Sequence, residues 1–289
     1  VLTKQFVLVM TNPNIEKDDY KTRSNFIREF IQRSNLQSSQ PPSLSNEIPK
    51  MIVQFWDNFD DLPDDVGACI ETWKSTRELG FNHQIFDKQQ AGDYILKKLD
   101  VRHKLAFDKC YHPAMQSDFF RLCYIFIDGG CYIDVDDKYT GVPINKHFDD
   151  CRLKIQPLCY DIATNTMVPP SIFTKQGANN EHWIFYFNNN PLIAKKGNII
   201  VGSALNRALL SLENNAANEL PEIQSTTGPG NLTKTIFDNM LANITIEDTM
   251  FIFRDWENTA KNEWNLSYRN DARNWRHSNG QVYSSRKHQ

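Results

Sequence analysis

Between Met51 and Asp137 the hydrophobic period switches repeatedly, and that switching limits the chain to few folds. "MIVQFW" is a short apolar run of strand length. "LPDDVGACIETWKSTRELG" has helical spacing, with Pro63 near its start and Gly80 at its end. "NHQIFD" returns to a strand pattern. "KQQAGDYILKKL" and "VRHKLAFDKC" are helical again. "PAMQSDFFRLCYIFIDGG" spans about four helical turns and is stopped by Gly129 and Gly130. "CYIDVD" is the next strand. Strands that alternate with helices are the signature of an α/β domain with a largely parallel sheet.

The rest of the chain is less regular. "EHWIFYFNNNPLIAKK" holds a strong strand, "IVGSALNRALLSLENNA" a helix, "GPGNLTKTIFDNML" a loop leading into a helix, and "MFIFR" a late strand. Toward the N-terminus, "YKTRSNFIREFIQRS" repeats Phe and Ile at helical spacing, and "NLQSSQPPSLSNEIPK" has the Ser, Gln and Pro content of a linker. Residues 1–45 are therefore expected to be an extension with a helix and a linker, ahead of one domain over 46–289.

Net charge is −3 over 289 residues, which argues against a general nucleic-acid binder. Six cysteines form no C-x-x-C pair. They are expected to be buried, reduced thiols, which leans toward the cytoplasm. No apolar run has the length of a membrane span, and "VLTKQFVLVM" is too short for a signal peptide, so membrane contact would be peripheral. Asn231, Asn243 and Asn265 sit in N-x-[ST] sequons, which an Asn-rich chain produces by chance.

The strand "CYIDVD" ends in carboxylates. In open α/β sheets ligands bind beyond the carboxyl ends of the strands. On an extended strand Asp134 and Asp136 would face the same side, about 6.6 Å apart at roughly 3.3 Å per residue. Two such charges repel, and a hard divalent cation, Mn²⁺ or Mg²⁺, relieves the repulsion. An EF-hand loop starting at Asp134 fails, because its Gly and Glu positions hold Tyr139 and Asn145. Asp118 and Arg121, spaced i and i+3, share one face of the preceding helix. They could pair on the surface or point toward the same ligand as the aspartates.

Taken together, "QSDFFRLCYIFIDGGCYIDVDD" resembles the central block of the glycosyltransferases with a D-x-D sugar-binding region. That family includes initiating α-mannosyltransferases and capsular polysaccharide transferases, with the clostridial glucosylating toxins as distant relatives. "IPKMIVQFWD" is similar to the family's opening strand and "TGPGNLT" to its later Gly-Pro loop. The resemblance implies a GT-A-type, Rossmann-like nucleotide-sugar-binding fold. It also implies a UDP-sugar or GDP-mannose donor, a Mn²⁺ or Mg²⁺ ion, and transfer with retention to a glycan or protein hydroxyl. By the same resemblance, Asp136 would be the direct metal ligand and Asp134 a sugar or ribose contact near the ion. Asp118 and Arg121 would lie on the sugar and diphosphate side, and Trp56 near the base. Asn188 or Asn189 would lie near the donor, and His277 would reach the ion or diphosphate. Such enzymes work in the cytoplasm, at the inner face of a membrane, or in the Golgi lumen of eukaryotes. The rival readings are a toxin-like enzyme acting on protein and a non-catalytic sugar-nucleotide binder.

Overall fold

The computed structural model describes residues 20–33, 47–216, 219–241 and 249–281. A short strand expected ahead of the first helix, most of the Ser/Gln/Pro linker and the Asn243 sequon lie outside these residues. In chain order the helices are α1 (Tyr20–Arg33), α2 (Asp64–Trp73), α3 (Lys88–Lys98), α4 (Val101–Lys109), α5 (Pro113–Ile127), α6 (Pro170–Phe173), α7 (Ile199–Asn214), α8 (Ile223–Thr226), α9 (Pro229–Leu241) and α10 (Trp275–Ser278). The strands are β1 (Met51–Phe55), β2 (Asn82–Phe86), β3 (Gly130–Tyr132), β4 (Asp137–Tyr139), β5 (Leu153–Ile155), β6 (Pro157–Asp161), β7 (Thr166–Met167), β8 (Trp183–Phe187), β9 (Leu192–Ala194), β10 (Met250–Ile252) and β11 (Ala260–Asn262).

The central sheet has the order β10-β5-β9-β3-β1-β2. β2, β1 and β3 pair in parallel, as do β5 and β10, while β9 runs antiparallel to both β3 and β5. Five strands therefore share one direction and β9 alone opposes them. The sheet is largely parallel, as the alternating pattern anticipates, and β9 makes it the mixed, largely parallel sheet expected with a GT-A-type fold. Two small sheets, β7-β6-β8 and β11-β4, flank it.

Period-2 alternation sorts the central strands' side chains onto two faces. Val53 and Phe55 of β1, Tyr132 of β3, and Leu192 and Ala194 of β9 enter the main core beneath α5 and α7. Ile52, Cys131 and Ile193 point the other way, into a second core with Trp73 and Phe253. Burial on both faces is what an internal parallel sheet requires. α1 drops Ile27, Phe30 and Ile31 into the main core, where Phe30 meets Phe187 edge-on.

α5 is the helix that positions the site. Pro113 opens it, and the His112 ring caps it by accepting the Ala114 amide at 3.0 Å. Phe120 is fully buried and touches Phe55, Phe86, Tyr94 and Tyr124. Deleting such a ring costs about 3–5 kcal/mol. The helix stops because Gly129 and Gly130 adopt φ of 72° and 112°. A Cβ at Gly129 would lie 2.7 Å from the Lys196 amide, and one at Gly130 2.8 Å from the Met51 carbonyl. Only glycine allows the chain to turn here and enter β3 directly beneath α5.

All six cysteines are buried free thiols, as expected. The Asn231 side chain is buried in α9 and donates to the Ala204 carbonyl at 2.9 Å, so the folded chain keeps that sequon inside. Among the described residues no helix is long and apolar enough to cross a membrane.

Candidate donor and metal site

Asp134 and Asp136 do not sit on a strand; Asp137 opens β4. β3 ends at Tyr132, and residues 134–137 form a turn closed by the Asp137 amide donating to the Asp134 carbonyl at 3.1 Å. The turn, and not the extended pleat expected from the alternation, sets the directions of the Asp134 and Asp136 carboxylates. Ile133 still donates to the Val53 carbonyl at 2.9 Å, but at Asp134 side chains take over from the neighbouring strands. Asp134 donates to Asn190 Oδ1 at 3.0 Å, and its carbonyl accepts from Gln54 Nε2 at 3.2 Å. The His83 ring holds Gln54 Oε1 at 2.8 Å.

Each carboxylate of the cluster has its own environment. Asp134 Oδ1 accepts from Arg121 Nη2 at 2.8 Å. The same guanidinium nitrogen lies 3.1 Å from Asp118 Oδ1. Both members of the i, i+3 pair are buried, at 7% and 3% exposure, so the surface ion-pair alternative is ruled out. Arg121 stacks 4.3 Å from the Tyr132 ring centre and donates through Nη1 to Asn189 at 3.0 and 3.1 Å. Asn189 Nδ2 in turn donates to Asp118 Oδ1 at 2.8 Å. Asp136 accepts from the Tyr268 hydroxyl at 2.7 Å and forms an ion pair with Arg269. Its other oxygen, Oδ1, is buried without a hydrogen-bond partner among the described residues. Asp137 points inward, toward Asn190 Nδ2 and Asn262 Nδ2, each at 3.0 Å.

The electrostatics record a shortage of positive charge. Burial pushes the Asp134 carboxyl up to about 6; Arg121 opposes the shift and Asp136 adds to it. Burial, with Asp136 and Asp134 nearby, pushes Asp137 up to about 7. Asp118 is also raised, because burial outweighs Arg121. Burial disfavours the Arg121 charge, yet Asp134 and Asp118 hold its pKa above the ordinary arginine value. One guanidinium shared by two carboxylates explains why Arg121 gains while each aspartate still rises.

These groups line one cleft with a volume of about 420 Å³. Trp56, Asp118, Arg121, Asp134, Asp136, Asn188 and Asn189 all reach it. The structure therefore brings together every expected site residue except His277. That side chain is exposed near the end of α10 and is not part of the cleft wall. Trp56 is buried, with the Tyr268 ring edge-on at 5.6 Å and the Arg273 guanidinium 5.1 Å away.

Sequence reasoning missed the other wall. Residues 262–276 bring Asn262, Trp264, Tyr268, Arg269 and Arg273 to the cleft. Asn190, which bridges Asp134 and Asp137, was also missed. The signal for the C-terminal wall was the interleaving of Trp, Tyr and Arg in "EWNLSYRNDARNWR". Such a run carries no fixed period and reads as a polar tail.

A divalent ion fits this donor set in a specific way. Among the described residues no three His, Cys, Asp or Glu side chains converge as a complete cage. Mg²⁺-type sites commonly use one or two carboxylates, with substrate phosphates and water completing the shell. Asp136, with its partnerless buried oxygen, and the adjacent Asp134 match that need.

Comparison with known proteins agrees with the motif. The family model described as "Glycosyltransferase sugar-binding region containing DXD motif" matches residues 63–149, which span α2 through the D-x-D turn. That match covers less than a third of the 289-residue chain. Among solved structures, the PaToxG glycosyltransferase is similar with a TM-score of 0.44 and 16% identity, over 78% of each chain. No curated protein matches in sequence.

Proposed function

We propose that the protein is a metal-dependent, retaining glycosyltransferase that moves a sugar from a UDP-sugar or GDP-mannose to a hydroxyl of a glycan acceptor. The observation that carries this reading is Asp136: it lines the cleft and keeps one buried oxygen without a partner, beside carboxyls that burial has raised. A site with this excess of acid groups suits Mn²⁺ or Mg²⁺ held by Asp136, with Asp134 adjacent. When bound, the ion supplies Lewis-acid stabilisation of the charge on the leaving diphosphate.

The chain's own groups do the rest. Asp118 and Asn189, joined at 2.8 Å, form a rigid polar floor that accepts and donates to sugar hydroxyls. Arg121, fixed by Asp134, Asp118 and Asn189, places a permanent positive charge at that floor, where negative charge grows as the donor bond breaks. Asn188 stands beside this floor and Trp56 beside the expected base site. Tyr186, Trp264 and Trp275 line the cleft, and aromatic faces suit sugar rings. Support for retention by attack on the face the diphosphate leaves comes from the carboxylates themselves. The carboxylates of Asp118 and Asp137 are already engaged by Arg121, Asn189, Asn190 and Asn262, which makes these two poor nucleophiles.

A panel of UDP-sugars and GDP-mannose with Mn²⁺, read as nucleoside diphosphate release, tests the reading. Slow hydrolysis of at least one donor is expected. A non-catalytic binder releases none.

A further inference from the structure

The D-x-D carboxylate that the Proposed function assigns to a cation already holds one of the chain's own. Arg269 pairs with Asp136 through Nη2, and the same nitrogen donates to Asn262 Oδ1 at 3.1 Å. Its Nε is buried without a hydrogen-bond partner among the described residues, and so is Asp136 Oδ1. A buried guanidinium edge and a buried carboxylate oxygen are thus both left unspent at one contact. Each costs free energy until it finds a partner. The guanidinium lies 4.5 Å from the Trp264 ring centre and 5.4 Å from that of Tyr268, so two aromatic rings of the cleft wall hold it in place.

The segment around it is fixed at other points. Ser267 donates to Asp65 through its amide and hydroxyl at 2.6 and 3.0 Å. Asn274 Nδ2 donates to the Arg269 carbonyl at 2.7 Å. His112, the cap of α5, donates from Nε2 to the Ala272 carbonyl at 2.9 Å. The backbone at Arg269 can therefore stay in place while the long side chain moves.

We propose that Arg269 exchanges ligands during donor binding: it neutralises Asp136 in the empty cleft, gives that carboxylate up when a divalent cation takes it, and then binds the donor diphosphate. The inference rests on the reading of the cleft as a metal and nucleotide-sugar site. Its physical basis is simple. A guanidinium and a divalent ion cannot both sit on Asp136 without strong repulsion in a partly buried site. The displaced fork remains beside the ion, where phosphate oxygens would lie, and its planar donors match phosphate in pairs. Arg269 is then a competitor of the cation alone and a partner of the cation with a diphosphate. The chain makes ion binding weak until the nucleotide is present.

The test is Mn²⁺ binding, followed by electron paramagnetic resonance, with and without UDP and GDP. It uses wild type, Arg269→Ala, Arg269→Lys and Asp136→Asn, each checked for folding by thermal melting. In wild type the better-bound nucleotide should tighten Mn²⁺ on the order of 5–150-fold. Arg269→Ala should bind Mn²⁺ alone more tightly than wild type and lose most of that enhancement. Arg269→Lys keeps the competing charge without the fork, so it should stay weak for Mn²⁺ alone and show a reduced enhancement. Arg269→Ala binding Mn²⁺ alone no better than wild type, or keeping the full nucleotide effect, overturns the exchange while leaving the metal site intact. Mn²⁺ binding that Asp136→Asn does not weaken, or no binding in any variant, overturns the site reading and the exchange together.

Discussion

Asn190 joins the two ends of the D-x-D turn: its Oδ1 accepts the Asp134 amide and its Nδ2 donates to the Asp137 carboxylate, both at 3.0 Å. One neutral amide thus fixes the loop that presents Asp134 and Asp136 to the cleft. Its own backbone is held by Gln156 Nε2, which donates to the Asn190 carbonyl at 2.7 Å. Replacing Asn190 with Ala leaves a buried amide and a buried carboxylate oxygen unpaired, at about 1–3 kcal/mol each. The melting temperature of Asn190→Ala should fall by on the order of 10 °C, and donor turnover should fall with it. A variant that melts like wild type contradicts the assigned role.

Arg121 carries a heavier role, since Asp118, Asp134 and Asn189 all rely on it. Arg121→Ala strands the buried Asp118 carboxyl and the half-buried Asp134 carboxyl, and breaking a buried pair by removing one partner costs about 3–5 kcal/mol. Arg121→Lys keeps the charge but cannot reach Asn189 and both aspartates from one planar fork. We expect Arg121→Lys to fold with reduced stability and to lose most donor hydrolysis. Near-normal turnover in Arg121→Lys shows that charge alone suffices there.

The raised carboxyls set a direction for pH. Folded Asp137 keeps its proton up to about 7 and Asp134 up to about 6, whereas an unfolded Asp releases its proton near 3.9. Between those values the folded state binds more protons, so these groups lower stability as pH rises through that window, and the loss is complete above it. Without added metal, Asp137→Asn should show a smaller drop in melting temperature than wild type between pH 4.5 and pH 8 (roughly the window above). Equal pH slopes for the two proteins contradict the shift.

Much of this arrangement was legible in the residues, for physical reasons. α2, α5 and the first strands carry strong local signals, among them Pro63 at the start of α2 and the glycine pair after α5. The "SDFFR" spacing placed Asp118 and Arg121 on one helix face, and both reach the cleft. The D-x-D turn was read as strand because "CYIDVD" has the strand's alternation. What ends β3 is Asn190 and Gln54, which lie far away in sequence and leave no local mark. The C-terminal wall was unreadable for the same reason. Tyr268 and Arg269 matter through contacts with Asp136 across more than a hundred residues, and no period encodes that.

The central claim is that Asp136 holds the cation on which donor cleavage depends. Its most direct measurement is nucleoside diphosphate release from the best donor, as a function of Mn²⁺, for wild type and Asp136→Ala. Wild type should be inactive after chelation and recover with Mn²⁺. Asp136→Ala should melt cooperatively yet release diphosphate at least about 100-fold more slowly at every Mn²⁺ concentration. Turnover in wild type that survives chelation, or near-normal Mn²⁺-dependent release by Asp136→Ala, contradicts the account.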